Sequence, residues 1–260
     1  MLHFDFASSG TRSFTAPAGK LYIAGNADFS LCQSLTNSSG KIYFSNTAAK
    51  TFTSVSAFSF NDFYVAGTGS VTFDGTVVCC NVQTETDSEK EVYINGEIQV
   101  SEIFNAQADS TVTVLSGGII NATQAASLLE IQKDAVLVLQ DSGELSGAGK
   151  LCLISGILQY MGTSSYSVPL ETVISNSSTT QSSIISTSAT LSIASVTYTS
   201  YPNLSVTGFV ELQGGTIGEL TVETEDSELT FTSDNLICQG EAKLNGSVTS
   251  DENQIYMDNV

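Results

Sequence analysis

Apolar and polar residues alternate along most of the chain in short runs, and each run closes on Gly, Asn, Asp or Ser. TVTVLSGG (111–118), AVLVLQDSGELSGAG (135–149), KLCLISGIL (150–158), FVELQGG (209–215), GELTVETEDSELTFTSDN (218–235) and AKLNGSVTSD (242–251) all follow this pattern. A period of two with turn residues at each end predicts short strands. Helical spacing is nearly missing. Only NATQAASLLEIQK (121–133) offers a helical turn or two, and its apolar spacing is ambiguous.

The runs repeat. GKLYIAG (19–25), GKIYFSN (40–46) and NDFYVAG (61–67) place Tyr22, Tyr43 and Tyr64 at successive intervals of 21 residues. EVYINGE (91–97) reads as a fourth copy with Tyr93 a further 29 residues on, the extra length holding a separate strand-like run, GSVTFDGTVVCC (69–80). A repeat of about 20–25 residues is one rung of a parallel β-helix. One rung cannot bury its own apolar face, whereas stacked rungs share a continuous core. A β-sandwich also has many short strands but needs no fixed 21-residue period. The predicted fold is therefore all-β, a single right-handed parallel β-solenoid. Residues 1–18 form its cap or edge and 19–260 the solenoid. The stretch 162–203, nearly uncharged and rich in Ser and Thr, reads as two further rungs with irregular corners, or else as a protrusion used for contact.

Composition fits this picture. The chain of 260 residues carries 38 Ser, 29 Thr, 21 Gly and only 3 Pro, a mixture suited to strands joined by many tight corners. Its net charge of −19 repels phosphate backbones and anionic membrane surfaces, so no nucleic-acid partner is expected. No apolar run approaches the ~20 residues of a spanning helix, so direct membrane insertion of this segment is not expected. Met1–Gly10 has neither a basic n-region nor a long apolar stretch; the expectation is a piece of a larger secreted chain, extracellular or at a cell surface. The five cysteines, Cys32, Cys79, Cys80, Cys152 and Cys238, lack metal-type spacing and read as small buried hydrophobes, with adjacent Cys79 and Cys80 on opposite sides of one strand.

The glycine-closed runs SGAGKLCLISGIL (146–158) and GTGSVTFDGTVV (67–78) resemble the rungs of autotransporter-type passenger domains and related β-helical adhesins. SGAGKLCLISGILQYMGTSSYSVPLETVI is similar to the autotransporter-associated strand repeat. SGGII (116–120) and FSFN (58–61) resemble two short motifs of chlamydial polymorphic membrane proteins. The resemblance implies a cell-surface β-helix used in adhesion.

Many β-helices cleave polysaccharides, which requires a basic residue or calcium for acidic sugars, or two carboxylates across a cleft. Here Arg12 is the one arginine and His3 the one histidine. The acidic runs ETDSEKE (85–91) and ETEDSE (223–228) read as solvated loops, and Asp74 as a turn residue. Lys20 and Lys41 fall at equivalent rung positions, with Lys150 in a later, similar place, and read as solvated corner residues. No motif for calcium, zinc, nucleotide or a nucleophilic triad occurs. No catalytic, metal or cofactor site is predicted, and no cofactor.

The remaining candidates are the tyrosines. In LYI, IYF, FYV and VYI the flanking residues face the core if the strand alternates, so Tyr22, Tyr43, Tyr64 and Tyr93 face outward as a ladder. Such a row offers apolar area with polar tips to a glycan or protein receptor, or stacks on itself and stabilises the sheet. The expected function is a non-enzymatic, surface-displayed adhesive or structural module. The alternatives are a trimeric phage or viral fibre segment, which makes an oligomer possible, and a polysaccharide-active enzyme.

Overall fold

The computed structural model describes residues 13–15, 18–36, 39–86, 89–176, 180–250 and 254–259. Alternation carries through almost every run. Inward residues are mostly apolar and covered; outward ones are mostly hydroxyl, amide or charged. The result is a parallel β-solenoid of about 11 turns, with no helix among the described residues. Rungs spaced about 4.8 Å apart make a rod roughly 50 Å long.

The turns stack their strands on three faces, the third beginning only at 76–79. The first face, here the tyrosine face, is built from Lys20–Ile23, Lys41–Phe44, Asp62–Val65, then 81–84 and 103–106, and continues through Leu128–Ile131, Lys150–Ile154, Glu171–Ser175 and Val196–Tyr198. The second face runs from Ala27–Asp28 and Lys50–Ser54 through 71–75, Lys90–Ile94, Ser110–Val114, Val136–Leu139 and Ile157–Tyr160 to 182–186 and beyond. The third holds 76–79, 97–100, Ile119–Ala122 and Glu144–Gly147, and later 191–193, Glu228–Phe231 and Ser247–Ser250. All pairings are parallel, so equivalent residues of successive turns sit directly above one another.

The core is a set of inward columns. Leu21, Ile42, Phe63, Val82, Phe104, Leu129 and Leu151 form one of them. In the first turns the columns are aromatic: Phe29, Phe44, Phe52, Phe60, Phe63 and Phe73 pack ring against ring at centroid separations of 5.0–6.1 Å. Further along they become aliphatic, with Leu137, Leu158, Ile184, Val206 and Val222 all buried. Each covered side chain contributes about 1.5–3 kcal/mol, which no isolated turn could collect.

Corners explain the abundance of small polar residues. Ser127 donates its hydroxyl to Ser101 O at 2.9 Å, Ser155 to Thr180 O at 2.7 Å, and Thr84 and Ser110 share a buried hydrogen bond of 2.7 Å. Backbone groups that the strand ladders leave over are thus satisfied inside the rod. At the bend between 71–75 and 76–79 the turns approach so closely that a Cβ on Gly96 would lie 2.0 Å from Gly75 O. Gly75 itself has φ +66°, the left-handed region glycine enters freely.

Asn121–Lys133 is not helical. It closes Ile119–Ala122, turns, and forms Leu128–Ile131, because its inward positions Ala122, Leu129 and Ile131 complete columns set by the neighbouring turns. Within 162–203, Tyr166–Ser167, Glu171–Ser175, Ser182–Ile193 and Val196–Tyr198 all join the stacks. One interruption follows. Among the described residues no pairing joins Val196–Tyr198 to Gly215–Ile217, the next strand of the same face; the Tyr198 ring lies against Gly215 and its hydroxyl donates to Gln213 O at 2.8 Å.

Candidate ligand-binding face

The first two turns of the tyrosine face are each 21 residues long, so Tyr22 pairs with Tyr43 and Tyr43 with Tyr64 in direct register. Ile23, Ile42, Phe44, Phe63 and Val65 are buried on the other side of the same strands, with Leu21 partly so. The phenols therefore project outward as a ladder. Tyr43 and Tyr64 stack with centroids 4.6 Å apart and planes 10° from parallel; Tyr22 follows at 5.3 Å and 31°.

Lysines complete the ladder. Side chains two apart share a face, so Lys20 and Lys41 flank the tyrosines. Each ammonium reaches over the ring of the following turn: Lys20 Nζ lies 4.8 Å from the Tyr43 centroid and Lys41 Nζ 4.9 Å from that of Tyr64. Lys41 also donates to Tyr64 Oη at 2.9 Å. That hydrogen bond, with the field of the same phenol, holds the Lys41 ammonium above its ordinary pKa. Such cation–aromatic contacts contribute about 0.5–1 kcal/mol at exposed sites, and each cross-strand ring pair roughly 0.2–1 kcal/mol.

Stacking limits what the ladder can offer. Tyr43 is only 9 % exposed, enclosed by its neighbours and Lys20, whereas Tyr22 is 59 % exposed. The open aromatic surface is the ring of Tyr22, extended by the ammonium groups of Lys20 and Lys41.

Tyr93 does not belong to this ladder. It lies on the second face, paired with Thr72 and Thr113, and its hydroxyl donates to Glu91 Oε2 at 3.3 Å. Partial burial, followed by Glu91, raises its phenol above the ordinary value. The position above Tyr64 is filled by Gln83, then Asn105. An aliphatic–Tyr–aliphatic run marks a strand with an outward phenol but does not say which of three faces it joins. The run 69–80 supplies the second and third faces of its own turn, and 81–84 returns to the first.

No family model, curated protein or solved structure matches the chain.

The reading of the lysines as solvated corner residues missed their environment. Lys20, Lys41 and Lys150 do occupy one column, but their partners differ. Lys150 binds Glu171 at 2.8 Å, Lys133 meets Asp134 at 3.7 Å and Lys243 meets Glu241 at 3.5 Å. Lys20 and Lys41 form no ion pair with a described residue. Asp62, next above Lys41, instead accepts from Asn81 Nδ2 at 2.9 Å. A signal was present in the sequence. Residues 1–50 hold four basic and two acidic side chains, a net of +2, leaving four basic and 25 acidic, a net of −21, over 51–260. In a solenoid, sequence position is axial position, so this difference is a charge gradient along the rod.

Other candidates are less developed. Asp74, expected in a turn, lies within the strand Val71–Thr84 just before its bend, and accepts from Gly75 N at 3.0 Å and Asn95 Nδ2 at 3.1 Å. Glu223, Glu225, Asp226 and Glu228 are exposed. Among the described residues no group of three or more His, Cys, Asp or Glu could hold a metal ion. His3 and Arg12 lie outside the described residues. None of the five cysteines forms a disulfide; Cys79 is buried and Cys80 only half-buried, as alternation requires. A cleft of about 560 Å³ opens at the interruption of the tyrosine face, lined by Tyr198, Ser200, Tyr201 and Gly214–Thr216.

Proposed function

We propose that this solenoid is a non-enzymatic, surface-displayed adhesive module whose tyrosine face engages a glycan or protein receptor. The observation that carries this reading is the outward ladder Tyr22–Tyr43–Tyr64, held rigid by its own stacking and ending in one widely exposed ring. A pre-ordered aromatic surface loses little side-chain entropy on binding, and tyrosine gives both apolar contact and a hydrogen-bonding tip. The rod shape suits presentation at a distance. Extracellular or cell-surface placement, as part of a larger secreted chain of the autotransporter passenger type, agrees with the glycine-closed rungs.

The test uses Tyr22→Ser, which removes the exposed end of the ladder and leaves the Tyr43–Tyr64 stack in place. Wild type and variant are compared on arrays of extracellular glycans and matrix proteins. Loss of a wild-type signal, with unchanged circular dichroism, is expected. Identical binding profiles would refute the role of this face. A fibre subunit is the second reading, favoured by outward apolar positions Val136, Ile157 and Ile185 on the second face; an obligate trimer in sedimentation equilibrium would select it.

A further inference from the structure

The geometry points to an acidic glycan, a polysaccharide bearing carboxylate or sulfate groups, as the ligand of the Lys20/Lys41/Tyr22 patch. This rests on the adhesive reading above and adds the chemical class. Two ammonium groups stand one rung apart, about 4.8 Å, each on the face of a phenol. Neither forms an ion pair with a described carboxylate, Asp62 one rung above Lys41 bonding Asn81 instead, while three lysines further along the same acidic chain do. Like charges stacked in register cost free energy, and a bound anion would relieve that repulsion. Lys41 gives one hydrogen to Tyr64, which leaves two of its three donors for a ligand. Beside the ammonium groups, the open ring of Tyr22 supplies the apolar surface on which the C–H face of a sugar packs.

The charge gradient favours a thin polymer over a bulky acidic protein. The net −21 of residues 51–260 is distributed along the rod, much of it beyond the ~8–10 Å over which salt leaves charges effective. A single glycan strand crossing the first turns meets mainly the local lysines. An acidic globular partner would also face the body of the rod and be repelled. A single-stranded nucleic acid shares the charge but binds through successive base–aromatic stacks, and here the inner rings stack on each other.

The experiment is biolayer interferometry on immobilised heparin (sulfated), polygalacturonate (carboxylated), dextran (neutral) and an oligothymidylate. It is run at about 50 and about 200 mM salt, with wild type, K20Q/K41Q, Tyr22→Ser and the control K133Q/K150Q. Thermal scans confirm that each variant is folded. Binding to heparin or polygalacturonate but not dextran is expected, weakened roughly tenfold or more in K20Q/K41Q and by higher salt, and retained in the control. Which polymer binds distinguishes sulfate from carboxylate. Equal binding of K20Q/K41Q, or of dextran, would overturn the acidic class while leaving the adhesive reading intact if Tyr22→Ser still abolishes binding. Oligothymidylate binding as tight as the glycans would overturn the glycan assignment. Absence of any signal on the two acidic glycans would overturn the inference. If Tyr22→Ser also leaves every wild-type signal on the broader array unchanged, the adhesive reading falls with it.

Discussion

Phe52→Ala measures how the rod is held together at the end that carries the ladder. Phe52 has no exposed surface and touches five other rings, those of Phe63 at 5.0 Å, Phe60 at 5.3 Å, Phe29 at 5.4 Å, Phe44 at 5.6 Å and Phe73 at 6.1 Å. Removing a buried phenyl group costs about 3–5 kcal/mol, more where the surroundings cannot collapse. Here the neighbouring rings are fixed by strands above and below, so the upper half of that range applies. Solenoid stability is a sum of turn and nearest-neighbour contributions, so the loss should stay local. A single melting temperature would blur it; peptide-resolved hydrogen exchange resolves it. Peptides within 41–84 should exchange more than about a hundredfold faster, the equivalent of some 3 kcal/mol, while those within 204–250 keep wild-type rates. Phe52→Leu, which retains most of the volume, should cost less than about 1.5 kcal/mol. Unchanged exchange in 41–84, or equal acceleration at both ends, would refute an aromatic cluster that stabilises its own turns.

Gly208 has φ +79°, and a Cβ there would fall 1.6 Å from Ser186 O; Gly208→Ala should destabilise by at least about 1–3 kcal/mol, read by urea denaturation, and a neutral result would contradict the tight corner. Iodoacetamide at neutral pH should label Cys80 first by mass spectrometry, since burial pushes the Cys152 thiol up to about 11 and Cys79 higher still; early labelling of Cys79 would mean that the core opens readily. Because the Lys41 pKa is raised in the folded state, chiefly by the hydrogen bond from its ammonium to Tyr64, its stabilisation is complete below the ordinary lysine value and lost as pH rises through the raised one. Lys41→Gln should therefore melt below wild type near about pH 8, and the gap should close towards about pH 11. A pH-independent gap would show that the contact is not electrostatic.

The architecture was legible because the first turns have one length. Tyr22, Tyr43 and Tyr64 recur at a constant interval, and constant interval in a stack means direct register. Tyr93 was not legible, since alternation identifies a strand and its outward side but not its face. Residues 121–133 have helix-forming composition, yet the neighbouring turns impose a strand on Leu128–Ile131. The environment of Lys20 and Lys41 depends on where each ammonium lands one rung away, which spacing does not encode; the uneven distribution of charge along the chain was the available hint. The abundance of serine, open to a contact-loop reading, is accounted for in part by corner hydroxyls such as those of Ser127, Ser155 and Ser182, which bond to backbone carbonyls.

The interruption between Val196–Tyr198 and Gly215–Ile217 has a mechanical consequence. Hydrogen bonds between parallel turns point along the rod axis, so a stretching load is borne in series, each junction between turns carrying the whole tension. Junctions such as that between 81–100 and 103–122 divide it among three ladders. At this one the tyrosine face contributes no strand pairing, and the pairings of Leu204–Leu212 with Leu220–Val222 and Glu228–Phe231 carry it alone. Under tension this junction should part before the three-ladder junctions of the middle of the rod, as should the junction of the first two turns, which pairs only Lys20–Ile23 with Lys41–Phe44 and Ala27–Asp28 with 52–53.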